Sequence, residues 1–128
     1  MFKLLNISFH AYGAQFGPSR VGYNFVHAIE PGTIAIRGKY KGQRMPYGHA
    51  EMSLPSQPDG ERGIIAMCEH ARKWLSSLKL AGATEFTLWV VREYHEQCNE
   101  ELGHRELELL ASLGCTLCYS AYQADTSD

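Results

Sequence analysis

The 128-residue chain has no long hydrophobic run, so nothing in it reads as a membrane span. The opening MFKLLNISFHAYG is interrupted by Asn6, Ser8 and His10 and is too polar for the apolar part of a signal peptide. A cytoplasmic protein is the expectation, and the four cysteines (68, 98, 115 and 118) are then expected as free thiols. No GxxxxGK[ST] and no GxGxxG after a strand is present, which removes the usual phosphate cradles. No serine sits in a GxSxG elbow. A strong charge excess is missing too: the net charge is −2, which gives no general case for a nucleic-acid or membrane partner.

What charge there is, however, is unevenly spread. Residues 1–84 carry ten Lys/Arg against five Asp/Glu, and residues 85–128 carry two against nine. The first part is thus +5 and the second −7, a dipolar chain. At 45% hydrophobic and 20% charged residues, the composition is that of one globular domain spanning 1–128, with 122–128 expected as a frayed tail.

Periodicity supplies the elements. Residues 3–12 alternate, with Leu5, Ile7, Phe9 and Ala11 on one face, as a strand does. Pro18 suits the first turn of a short helix carrying Val21, Phe25 and Ile29 on one side. TIAIRGKYK (33–41) alternates again, placing Ile34, Ile36 and Tyr40 opposite Ala35, Arg37, Lys39 and Lys41. Residues 47–54 form its expected hairpin partner, with Gly48, Ala50, Met52 and Leu54 inward. PSQPDGERG (55–63) reads as a loop, and 63–81 as one amphipathic helix stopped by Gly82. TEFTLWVVREY (84–94) reads as a central strand and 95–103 as a polar loop. HRELELLASL reads as a helix with Leu107, Leu110 and Ala111 on one side and Gly114 at its end, and 115–122 as the last strand. The expected fold is α+β: a mainly antiparallel sheet of about five strands with two or three helices packed on one face.

Several polar constellations invite chemistry. Cys115 and Cys118 form a CxxC, but on a strand positions i and i+3 point to opposite faces, and no second pair exists. They read as small apolar residues. In YHEQCNEELGH (94–104), His95 and Cys98 are three apart and Asn99 stands where HExxH needs its second histidine, so no metal is expected there. Glu96, Glu100 and Glu101 lack an apolar pocket and read as a solvated acidic loop beside the positive end of a helix. Arg37, Lys39 and Lys41 form a basic strand face that could touch RNA, although lysines guarding a strand edge account for them more simply. His10 and His49 can face one another on paired strands with Glu51 nearby, the only cluster that offers an enzyme or ligand-binding alternative.

Three segments, GPSRVGYNFVHAIEPGTIAIRGKYKG (17–42), PYGHAEMSLP (46–55) and GHRELELLASLGCTLCYSAY (103–122), resemble the bacterial family catalogued as domain of unknown function 4279. Lys41 and Gly42 match its Lys-Gly, and Leu107, Leu110, Leu113, Gly114 and Tyr122 match its ending; Met52 stands where the family has Trp. That family has no established catalytic residues to transfer. Proteins of this type are similar to small toxin-immunity proteins. The resemblance in type implies a non-enzymatic domain, without cofactor, whose partner is a cognate protein toxin. Acidic residues at 93, 96, 100, 101, 106 and 108 would suit a basic toxin, with Tyr94, Glu96, Glu100 and Glu101 as the expected contact residues.

Overall fold

A computed structural model describes residues 2–54, 63–96 and 101–124. The first alternating segment becomes β1 (Phe2–Gly13), interrupted by a register shift between Leu4 and Asn6. Ile7, Phe9 and Ala11 are buried on one face, as their spacing requires. Next comes a single 3-10 turn, Pro18–Arg20, rather than a helix reaching Ile29. Gly22 adopts φ +81°, a left-handed conformation that ends the turn, and the chain reaches β2 (His27–Ile29) without regular structure, Phe25 N–H donating to Tyr23 O. Tyr23 and Phe25 instead pack on the core cluster, with Tyr23 also 4.9 Å from Trp74.

The second alternating segment is not a strand. Residues 31–45 fold back on themselves: Ala35 N–H donates to Gln43 O, Gly42 N–H to Ala35 O and Met45 N–H to Thr33 O. Gly38 and Gly42 take positive φ, which a strand cannot accommodate, and only isolated bridges remain. Ile34 and Ile36, expected on the face opposite the basic row, are exposed, and Ala35, expected in that row, is buried. β3 (Gly48–Met52) therefore pairs with β1 and β2, with Gly48, Ala50 and Met52 inward as anticipated.

One helix over 63–81 is expected, and two form. α1 (Ile64–Arg72) ends in a short bond from Trp74 N–H to Ala71 O, and α2 (Leu75–Leu80) restarts from Trp74 O. The break turns Trp74 onto Tyr23 while Leu78 remains fully buried. β4 (Glu85–Tyr94) is interior, and α3 (His104–Leu113) ends at Gly114, φ +62°, as predicted. Its buried stripe is Glu106, Leu109, Leu110 and Leu113, whereas Leu107 and Ala111 face solvent. β5 (Thr116–Gln123) runs parallel to β4 because α3 carries the chain back between them. The expected fraying from 122 is not seen up to 124: Tyr122 and Gln123 belong to β5, and Ala124, buried, donates to Tyr94 O.

The sheet order is β2-β3-β1-β4-β5, antiparallel except for the last pair. One hydrophobic cluster joins the inward residues of β1, β3 and β4 to Ile64, Met67, Cys68 and Ala71 of α1, Leu78 of α2 and Leu109, Leu110 and Leu113 of α3. This is the α+β fold expected, with the helices on one face of a mostly antiparallel sheet. Among the described residues, no helix is long and apolar enough to cross a membrane.

Candidate functional site

The sheet face away from the helices collects the polar half of each alternation. Cross-strand register places His27, Glu51, His10, Thr87 and Thr116 in one row. Ile29, His49, Tyr12 and Glu85 form the next row, and Ser8, Trp89 and Cys118 lie on the other side. His10 and His49 meet diagonally, Nδ1 to Nε2 at 2.8 Å, with their rings parallel and 5.1 Å apart. Ser8 Oγ lies 2.9 Å from His10 Nε2. Neutral rings satisfy both contacts when Ser8 O–H donates to His10 Nε2 and His10 Nδ1–H donates to His49 Nε2. Burial holds both imidazoles down at about 4, helped at His10 by the neighbouring His27 and at His49 by His10 and His27. Glu51 Oε1, 3.9 Å from His10 Nε2, opposes the shift at His49 without overcoming it.

Tyr12 stacks on His49 at 4.6 Å and meets Tyr47 nearly edge-on at 5.9 Å. Tyr47 lies between the folded-back 31–45 loop and β3, and its ring walls one end of the face. Two cavities open here. The larger, about 530 Å³, is lined by Tyr12, Tyr47, Glu85, Thr87, Trp89 and Cys118, among others. The smaller, about 370 Å³, lies under the loop against His27, His49, Ile34 and Met45. The imidazoles predicted to meet do meet, yet these cavities do not take both: His49 lines the smaller and His10 neither. Ser8, the hydroxyl within reach of His10, is 2% exposed, so no substrate can approach it in this conformation.

Other expected site residues lie elsewhere. Tyr94 alternates onto the helix side of β4 and is half-buried, while Glu96 and Glu101 are exposed. Glu100 and Cys98 fall outside the described residues. Glu106 is no surface acid: it is 8% exposed and its Oε1 accepts the Gly103 N–H at 2.8 Å, capping α3. Arg37, Lys39 and Lys41 are exposed on the returning loop, not in a strand row, and Lys39 Nζ sits 5.4 Å over Tyr40. Cys115 packs toward the core and Cys118 is on the open face, the opposed arrangement that strand geometry predicts. Burial pushes the Cys68 thiol up to about 12 and raises that of Cys115, leaving them as apolar filler. Among the described residues, no three His, Cys, Asp or Glu side chains are grouped to hold a metal ion.

Sequence reasoning missed Trp89, Tyr12, Tyr47 and Glu85. For Trp89 and Glu85 the signal was available: Phe86, Leu88 and Val90 are the apolar half of β4, so Glu85, Thr87 and Trp89 must face the other way. Tyr47 arrives through a loop whose path no local pattern encodes. No family model matches the chain, and neither a curated protein nor a solved structure matches it.

Proposed function

We propose that the chain is a non-enzymatic protein-binding domain, of the type that neutralises a cognate bacterial toxin, and that its partner docks on the helix-free face of the sheet. One observation carries this reading: the open face of β4 presents Glu85, Thr87, Trp89, Val91 and Glu93 in line, two carboxylates flanking an indole that is 38% exposed. Tyr122, opposite Glu93 on β5, adds a second ring that is 60% exposed. Aromatic anchors within a charged rim are the composition from which protein recognition draws most of its energy. The buried Ser8 and the hydrogen-bonded imidazole pair favour a rigid binding surface over a nucleophile–base pair.

Glu93 links this face to the acidic loop, where Glu96 and Glu101 remain exposed. In this reading the loop steers a basic partner and the aromatic face holds it. Where the adjacent reading frame encodes a toxin-like domain, calorimetry and stopped-flow binding with that domain are the test. Trp89→Ala should weaken affinity at least about tenfold, mainly through faster dissociation. Glu96→Lys with Glu101→Lys should slow association and reduce its salt dependence. Affinity unchanged by Trp89→Ala removes the sheet face, and association unchanged by the charge reversals removes the loop.

A further inference from the structure

The larger cavity has a composition that selects a ligand chemistry. Tyr12 and Tyr47 meet at 70° with centroids 5.9 Å apart, forming two walls of a box, and Trp89 lines the same space. Among the described residues, Glu85 is the one charged member of the lining, which otherwise comprises Gly13, Ala14, Thr84, Thr87 and Cys118, and no lysine or arginine enters it. Aromatic faces carry negative potential, and a carboxylate adds a full charge; together they attract a cation and repel an anion. The volume, about 530 Å³, is within the range of small-ligand sites and leaves room for a long side chain with its stem. Beneath the box the sheet is paired on both sides of β1, which fixes the Tyr12 and Trp89 walls, and Tyr47 closes the box from the segment before β3.

We infer that this cavity receives a guanidinium or alkylammonium group, delivered as an arginine or lysine side chain of the protein partner. The inference rests on the proposed docking of that partner on the open face and names the contact that anchors it. The cation lies against the Tyr12, Tyr47 and Trp89 rings and pairs with the Glu85 carboxylate, while its aliphatic stem covers Ala14 and the Trp89 edge. Arginine suits such a box better than lysine, because its planar head stacks on a ring and still presents a fork to the carboxylate.

Peptides test this apart from any partner. Acetyl-Gly-Arg-Gly-amide, its Lys counterpart, its citrulline counterpart and choline are titrated into the labelled protein, following the Trp89 indole N–H signal by NMR. The arginine peptide should give a saturable shift, the neutral citrulline peptide none, and Glu85→Gln should weaken the arginine peptide roughly fivefold. Trp89→Phe, which keeps a ring, should retain part of the binding when followed through the Thr87 and Gly13 amides. Equal shifts with citrulline, or no shift with either basic peptide, overturn the inference. So does binding of choline in preference to both basic peptides, which would mark a site for a free small cation. If the arginine peptide fails while the toxin-like domain still depends on Trp89, the docking reading stands and this anchor falls. If the peptide binds while that domain ignores Trp89→Ala, the docking reading falls and takes the partner-delivered cation with it.

Discussion

Glu106 shows how far a residue's role depends on its position within an element. By sequence it is one more acid in a run of acids, yet its carboxylate accepts the Gly103 N–H at the start of α3 and is almost fully buried. The first N–H groups of a helix have no partner inside it, so an acceptor three residues on satisfies one and meets the positive end of the helix dipole. Glu108 stays outside, 3.8 Å from Arg105 in an exposed pair of little energetic consequence. Glu106→Ala should therefore cost about 1–2 kcal/mol in urea unfolding, and Glu106→Gln clearly less, because its amide oxygen can still accept the same N–H. Equal losses for the two variants would show that the charge, not the hydrogen bond, holds the helix start. Trp89 makes the complementary point: its alternation with Leu88 and Val90 places it outside the core with no local sign of a partner, so its role belongs to the face as a whole.

Among the elements, β3 is held in place by what it lacks. A Cβ on Gly48 would run into the Phe16 carbonyl, a backbone atom that cannot rotate away, and Gly48 also pairs with Gly13 of β1. Gly48→Ala should lower stability by about 3 kcal/mol and broaden NMR signals across β2 and β3, since overpacking against backbone forces the strand off its register. A variant as stable as the parent would mean that the 13–18 turn yields. Strands β1 and β3 were legible because each keeps a period of two against one core, as Ile7, Phe9 and Ala11 do, and β4 through its run of β-branched and aromatic residues. The alternation of 33–41 is equally regular, but Gly38 and Gly42 take positive φ and the segment closes on itself, so periodicity without a pairing edge misled. The expected 63–81 helix is interrupted at Trp74, whose ring meets Tyr23, fifty-one positions earlier, a neighbour that no window of sequence contains. The candidate site divides the same way: His10 facing His49 follows from strand pairing, whereas the Tyr12–Tyr47 box depends on a loop path.

At the scale of the whole molecule, the imidazole pair ties the open face to the stability of the fold. Both rings lie at about 4 in the folded protein against 6.5 for an ordinary histidine, so the unfolded chain binds more protons than the folded one between these values. The sign follows: the stabilising difference is fully present above pH 6.5 and is lost as pH falls toward 4. The first proton can be absorbed if Ser8 turns to accept from His10 Nε2–H, but a second sets two N–H groups against each other across the 2.8 Å contact. Around the pair stand Tyr12, His27, Glu51 and Trp89, of which only Glu51 brings an opposite charge that raises a ring's proton affinity. His70, lowered by burial and then by Lys73 while it contacts the Tyr23 hydroxyl, adds loss in the same direction from the opposite side of the sheet. A comparison with His10→Asn/His49→Gln therefore separates the pair from His70. Urea unfolding at pH 7.5 and pH 4.5 should show the parent losing about 2–3 kcal/mol more than the double variant. Each tenfold drop in a ring's proton affinity on folding corresponds to about 1.4 kcal/mol, and partial solvent access reduces the sum for the two rings to that range. Parallel losses in the two proteins would mean that the pair titrates as it does in the unfolded chain, and that the open face gains no rigidity from it.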